Sequence, residues 1–185
     1  NIGGTGNEAV TAMAIDSSGS CYITGRFAGT VDFDPGAGTS TITSSGPFDV
    51  YIVKLNTSGN LLWAKNFGGT FGTFVNDISI DASGSVYTIG TFQTTTDFDP
   101  SAAVYNLVSA GGQAPYMAKL DASGNFVWAL NTGFSISALN IDINNALYLT
   151  GILNDTTDFD IDPTQAANLF SLGGPASYIA KFDTA

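Results

Sequence analysis

Apolar residues enter this chain in runs of four to eight, each closed by a cluster of Asp, Asn, Ser and Gly. Runs this short, bounded by turn formers, predict strands and not helices. The first stretch gives four of them: Val10–Ile15, Cys21–Phe27, Val50–Leu55 and Leu61–Phe67. Asp16-Ser17-Ser18-Gly19 separates the first two, and Asn56-Thr57-Ser58-Gly59-Asn60 separates the last two. An Asx residue that caps backbone N–H groups, followed by a Gly that takes positive φ, is hairpin chemistry. These turn aspartates are therefore expected to be structural.

The pattern then repeats. Asp32-Phe33-Asp34-Pro35 returns as Asp97-Phe98-Asp99-Pro100 and, with Ile161 and Asp162 inserted before Pro163, as Asp158-Phe159-Asp160. Gly25, Gly90 and Gly151 keep step with it, as do Tyr22, Tyr87 and Tyr148, and Lys54, Lys119 and Lys181; Trp63-Ala64 returns as Trp128-Ala129. The spacing is 65 residues from Gly25 to Gly90 and 61 from Gly90 to Gly151. A period somewhat above the roughly 40 to 50 residues of known propeller repeats, filled with short strands, predicts an all-β fold of β-propeller blades. The expected blades are four-stranded antiparallel repeats at 1–65, 66–130 and 131–185, the third lacking its last strand. Propellers hold about four to eight blades, so three are expected to be part of a larger propeller, completed by further blades of the same chain or by neighbouring copies.

Within a blade, the small residues of the first run (Ala12, Ala14, Ser79, Ala138) suit a crowded central axis and place that strand innermost. The third run, Tyr51-Ile52-Val53-Lys54-Leu55, is apolar on both faces, as a strand sandwiched between neighbouring blades should be. The repeated Lys inside it must pair with a carboxylate of its own or the adjacent blade. Gly3-Gly4 and Gly68-Gly69 read as tight turns between blades, since neither a helix nor a phosphate-binding lysine follows. Cys21 stands where the other copies have Val86 and Leu147 and reads as a small core residue.

Charged residues make up only 11% of the 185 residues, so the surface must be largely Thr, Ser, Asn and Gly, a composition common outside cells. With 16 acidic against five basic residues the net charge is -11, which disfavours nucleic acid and anionic membrane and favours cations. No apolar run is long enough for a membrane helix, so no membrane insertion is expected. His is absent from the chain, which removes the usual Ser or Cys triads and His-based zinc sites. The Asp-rich loops are the one constellation with a chemical task. In extended chain Asp32 and Asp34 point one way while Phe33 faces the core, and the same holds for Asp97 and Asp99. Asp158, Asp160 and Asp162 give three alternating carboxylates, with Asp155 nearby. Such oxygens suit a hard cation, so these seven residues are the candidate calcium ligands; the competing reading is that each Asp caps its turn. Aspartates copied into every repeat argue against a unique catalytic centre, so no enzyme activity is expected.

Taken together, I-D-x-S-G-x-x-Y-x-x-G (Ile15 to Gly25), Y-x-x-K-L-[DN]-x-S-G-N-x-x-W-A (Tyr51 to Ala64) and the following Gly68-Gly69 resemble the SBBP family of bacterial β-propeller repeats. The resemblance runs along essentially the whole chain; the third copy departs from it at Asp142-Ile143-Asn144-Asn145. It implies a propeller with an extracellular or cell-surface address and no catalytic motif. Leu120–Trp128 also resembles the tryptophan-docking motif of quinoprotein propellers, in which the Trp packs between blades. The function expected is a non-catalytic scaffold for adhesion, assembly or other protein interaction, with calcium as a stabiliser. Two alternatives are a carbohydrate-binding or carbohydrate-active propeller, in which Phe71 and Phe74 would offer rings to glycans, and a subunit of an extracellular filament or lattice.

Overall fold

The computed structural model describes residues 2–4, 6–153, 157–159, 168–169 and 174–183, and every regular element among them is a strand. In chain order these are β1 (Gly3–Gly4), β2 (Asn7–Ile15), β3 (Cys21–Ala28), β4 (Thr30–Asp32), β5 (Thr41–Thr43), β6 (Asp49–Leu55), β7 (Leu61–Gly69) and β8 (Phe74–Ile80). They continue as β9 (Val86–Asp97), β10 (Asn106–Leu120), β11 (Phe126–Asn131), β12 (Ala138–Ile141), β13 (Ala146–Leu153), β14 (Thr157–Asp158), β15 (Asn168–Leu169) and β16 (Ala176–Asp183).

Three antiparallel meanders result. The first runs β2-β3-β6-β7, the second β8-β9-β10-β11 and the third β12-β13-β16. The connections that turn each meander are the Asx-Gly hairpins, and five of them share one geometry. The Oδ1 of Asp16, Asn56, Asp81, Asp121 or Asp142 accepts the N–H groups two and four residues ahead at 2.8–3.0 Å. Gly19, Gly59, Gly84 and Gly124 take positive φ at the fourth position, and Asn145 takes it at 62° in the third meander. Asn is the non-glycine residue that tolerates this conformation best, which explains how Asp142–Asn145 keeps the turn without a Gly.

Meanders pack face to face, side by side. Strand β8 lies against β2 on one side and β12 on the other, so the first strands of the three meanders adjoin one another. One apolar cluster joins Tyr22 and Ile52 of the first meander to Val75, Ile78, Tyr116 and Leu120 of the second. Another joins Tyr87, Ile89 and Met117 of the second to Ile136, Leu139, Leu149 and Tyr178 of the third. Burial follows from this arrangement and corrects two expectations. Strand β2, expected to be crowded, is largely exposed, because among the described residues only its β8 side is covered; β8, covered on both sides, is largely buried. Cys21 is only half-buried for the same reason, although its counterparts Val86 and Leu147 are buried.

Gly3-Gly4 and Gly68-Gly69 are strands, not tight turns. Gly68 and Gly69 run on from β7 and pair with Asp97 and Thr96, at the far end of β9. Gly3 and Gly4 pair in the same way with Asp32 and Val31 of the β4-β5 hairpin. Close approach dictates the glycines: a Cβ on Gly69 would overlap the Thr95 carbonyl oxygen, and one on Gly4 the Thr30 carbonyl oxygen. This clasp connects the first two meanders into one eight-stranded sheet.

Candidate functional site

Three groups of side chains could act: the Asp-rich hairpins, a cluster around each repeated Lys, and the contacts between meanders. In the first hairpin Phe33 is fully buried and packs on Phe27 and Tyr51 at centroid distances of 5.2 and 4.9 Å. Phe98 sits equivalently against Phe67, Phe92 and Tyr116, and Phe159 against Phe134 and Tyr178. The alternation thus anchors each loop by its Phe and, in the first two hairpins, turns the flanking aspartates away from the core.

Those aspartates are occupied by their own loops. Asp32 Oδ1 accepts the Asp34 and Ser40 N–H groups at 3.0 and 2.8 Å, and Asp34 Oδ1 accepts that of Gly36 at 2.8 Å. Asp97 accepts from Asp99 and Tyr105, and Asp99 from Ser101, at matching distances of 2.8–3.0 Å. The bonds from Ser40 and Asp34 hold the Asp32 carboxyl below its usual range. Among the described residues no three His, Cys, Asp or Glu side chains gather closely enough to hold a metal. The donor set of the first two hairpins therefore fits turn capping, with one oxygen of each carboxylate already engaged. Asp158 lies in β14, paired with Asn168, while Asp155, Asp160 and Asp162 lie outside the described residues. Beside the second hairpin, Asp97, Asp99 and Ser101 face Ser45, Asn66 and Gly68 across an open cleft of about 190 Å³.

Two of the repeated lysines pair with the turn aspartate of their own meander. Lys54 Nζ is 3.8 Å from Asp16 and Lys119 Nζ is 3.7 Å from Asp81. A tyrosine completes the group. The hydroxyls of Tyr22, Tyr87 and Tyr148 donate to Asp16, Asp81 and Asp142 at 3.1, 3.4 and 3.3 Å, and the three lysines lie over the same rings at 4.8, 4.7 and 5.6 Å. Burial alone would raise the Asp16 carboxyl, but the bonds from Ser18, Ser20 and Tyr22 outweigh it and hold the group below its ordinary value. Burial, followed by the bond to Asp16, pushes the Tyr22 phenol well above its ordinary value. These shifts favour a charged Asp16 carboxylate and a neutral Tyr22 phenol. The role of the tyrosines was open to sequence reading in their constant spacing of six residues after the turn Asp.

Contacts between meanders are specific. Trp63 Nε1 donates to the Ala122 carbonyl in the second meander at 3.2 Å, and its ring packs edge-on to Tyr22 at 6.0 Å. The Arg26 guanidinium lies 4.9 Å from the Phe48 centroid and 5.6 Å from that of Phe74. Asp77 Oδ2 accepts the Leu139 N–H at 3.0 Å, and Asn145 Oδ1 accepts that of Ala82 at 3.1 Å. Asp49, fully buried, is satisfied by Ser45 and Asn66; Ala114 and Ala176 stand at its counterparts. Of the two rings considered for glycans, Phe71 is exposed, while Phe74 is half-buried against Phe48 at 6.1 Å.

No protein-family model matches the chain. Along 92% of its length it is 28% identical to a WD repeat-containing protein of Acanthamoeba polyphaga mimivirus, of which it spans only 13%. The described residues hold no helix long and apolar enough to cross a membrane. The molecule is thus an all-β array of antiparallel meanders with a distant likeness to a WD repeat-containing protein.

Proposed function

We propose that the three meanders are consecutive blades of a β-propeller of the SBBP kind, divided at 1–65, 66–130 and 131–185, and that the chain serves as a non-catalytic scaffold for protein interaction. The observation that carries this reading is the side-by-side placement of β2, β8 and β12, with the two faces of the second meander packed on the first and on the third. Blades radiating from an axis need that geometry. The WD repeat-containing relative supports it, since propeller scaffolds of that sort present loops to partners. A secreted or surface location agrees with the scarcity of charge. A calcium contribution is proposed for the Asp-rich hairpins, through the carboxylate oxygens that the backbone leaves open.

Small-angle scattering is the direct test of the architecture. Blades around an axis give an arc whose pair-distance distribution differs from that of a straight stack, and a profile fitted only by the straight stack rejects the propeller. The scaffold role predicts saturable binding to surface proteins without turnover. Exposed Phe71 favours glycans as the second class of ligand, so a glycan array together with a hydrolysis assay separates the readings; release of sugar would reject a non-catalytic role.

A further inference from the structure

The junction between the first and second meanders and that between the second and third share one backbone pattern and differ at three positions. Arg26 of β3 pairs with Val50, and Thr91 of β9 pairs with Pro115 in the same register. Phe48, three residues before Tyr51, corresponds to Gln113, three before Tyr116. Phe74 corresponds to Ser135, since their carbonyl oxygens lie where a Cβ on Gly90 or on Gly151 would fall. At the first junction the three side chains form a stack: the Arg26 guanidinium lies against the ring of Phe48 in its own meander and that of Phe74 in the second. At the second junction Thr91, Gln113 and Ser135 bring no ring and no cation. With Gly90, Pro115 and Ile136 they line a hollow of about 250 Å³. Both walls of this hollow belong to meanders of the chain itself, Thr91 and Gln113 to the second and Ser135 to the third.

The lining selects the kind of guest. None of these residues ionises, so a charged guest would lose hydration and meet no counter-charge in return. Thr91, Gln113 and Ser135 offer two hydroxyls and an amide, donors and acceptors both, and these side chains make no hydrogen bond among the described residues. A wholly apolar guest would cover those groups without pairing them. Ile136, which is buried, and Pro115 add apolar surface beside them. A sugar ring matches both demands, with hydroxyls around its rim and C–H groups on its faces. The volume lies just under the roughly 300 Å³ at which small-molecule sites begin, which suits a single ring and not a longer chain.

We propose that the hollow between the second and third meanders binds one neutral sugar residue, such as the terminal unit of a glycan, through Thr91, Gln113 and Ser135. The inference rests on the glycan reading above and deepens it by placing the sugar between meanders and not at Phe71. The first junction is the chain's own filled version of the same site, with the Arg26 stack standing where the sugar would lie.

That correspondence supplies the test. Saturation-transfer NMR on the full 185-residue chain, with the methyl glycosides of glucose, galactose, mannose and fucose as probes, should show binding of at least one of them. The triple variant Thr91→Arg, Gln113→Phe, Ser135→Phe writes the first junction into the second and should abolish that signal. Ser135→Phe alone, on an exposed side chain, should weaken it, and keeps the test decisive if the triple variant does not fold by circular dichroism. The reverse triple, Arg26→Thr, Phe48→Gln, Phe74→Ser, should open a second site and raise the stoichiometry measured by titration calorimetry. Phe71→Ala should bind as the wild type does. Sugar binding that survives the filling variants but is lost in Phe71→Ala overturns the proposed location while the glycan reading stands. A wild-type chain that binds none of the probes overturns both, and leaves the protein-scaffold role, read by scattering and partner binding, untouched.

Discussion

Gly90→Ala probes the tightest packing in the second meander. Gly90 pairs with Val75 of β8 on one side and Tyr116 of β10 on the other, next to a bulge between Val75 and Asp77. A methyl group there would overlap the Phe74 carbonyl oxygen and lie 2.8 Å from the Tyr116 ring. No rotamer relieves this, because a Cβ has no torsion of its own, and Tyr116 is fully buried with nowhere to swing. Strand β8 must therefore recede from β9. Overpacking costs about 1–3 kcal/mol, and each strand hydrogen bond lost adds about 1 kcal/mol, so roughly 3 kcal/mol is expected. At about 2–4 °C per kcal/mol for a chain of this size, the thermal midpoint should fall by roughly 6–12 °C. Gly59→Ala is the control, since Gly59 has a φ of +80° but nothing within 4 Å of a new Cβ. Its cost is conformational, about 1 kcal/mol. Urea denaturation followed by tryptophan fluorescence reads both. The steric reasoning is refuted if Gly90→Ala proves no more destabilising than Gly59→Ala.

The other predictions concern charge and docking. Lys54→Met leaves Asp16 without its cation in a partly buried site and should lower stability by about 1 kcal/mol in the same titration, the upper end for a partly screened pair; an unchanged urea midpoint would show the pair to be idle. Asp16, Asp81, Asp121 and Asp142 all have carboxyls held below their ordinary value of 3.8 in the folded chain. Groups so depressed contribute stability that is full above that value and is lost as pH falls through the lower folded values, so thermal midpoints should be flat near neutrality and drop below about pH 4. A drop already complete at pH 5 would point to other groups. Trp63→Phe keeps a ring but loses the bond to the Ala122 carbonyl, and calorimetry should show a loss of about 1 kcal/mol. If calcium occupies the Asp-rich hairpins, a chelator will lower the thermal midpoint and calcium will restore it; the same midpoint with and without chelator removes the metal from the account.

What the sequence revealed and what it hid divide along the distance between partners. The Asx-Gly turns were legible because donor and acceptor lie within four residues, and the burial of Phe33 and Phe98 because strand alternation alone sets it. The Lys54–Asp16 pair was half legible: an apolar strand requires a carboxylate for its Lys, but nothing local says which one. The glycine clasp was read as turns because Gly68 and Gly69 find their partners beyond an entire hairpin, at Asp97 and Thr96. Exposure of β2 was hidden for another reason. It depends on what adjoins the strand, and its small residues report only what its β8 side demands. Arg26 between Phe48 and Phe74 breaks the repeat, with Thr91 and Ile152 at the same position in the other meanders, so periodicity could not point to it.

The clasp also bears on how the chain is made. As it leaves the ribosome, Gly68-Gly69 emerges before Thr96-Asp97, attached to a meander whose four strands have already been synthesised. The finished first meander thus holds out a short template on which the hairpin of the second can set its register. Folding then advances in the direction of translation, and a mispaired hairpin has a correct edge competing for it from the outset.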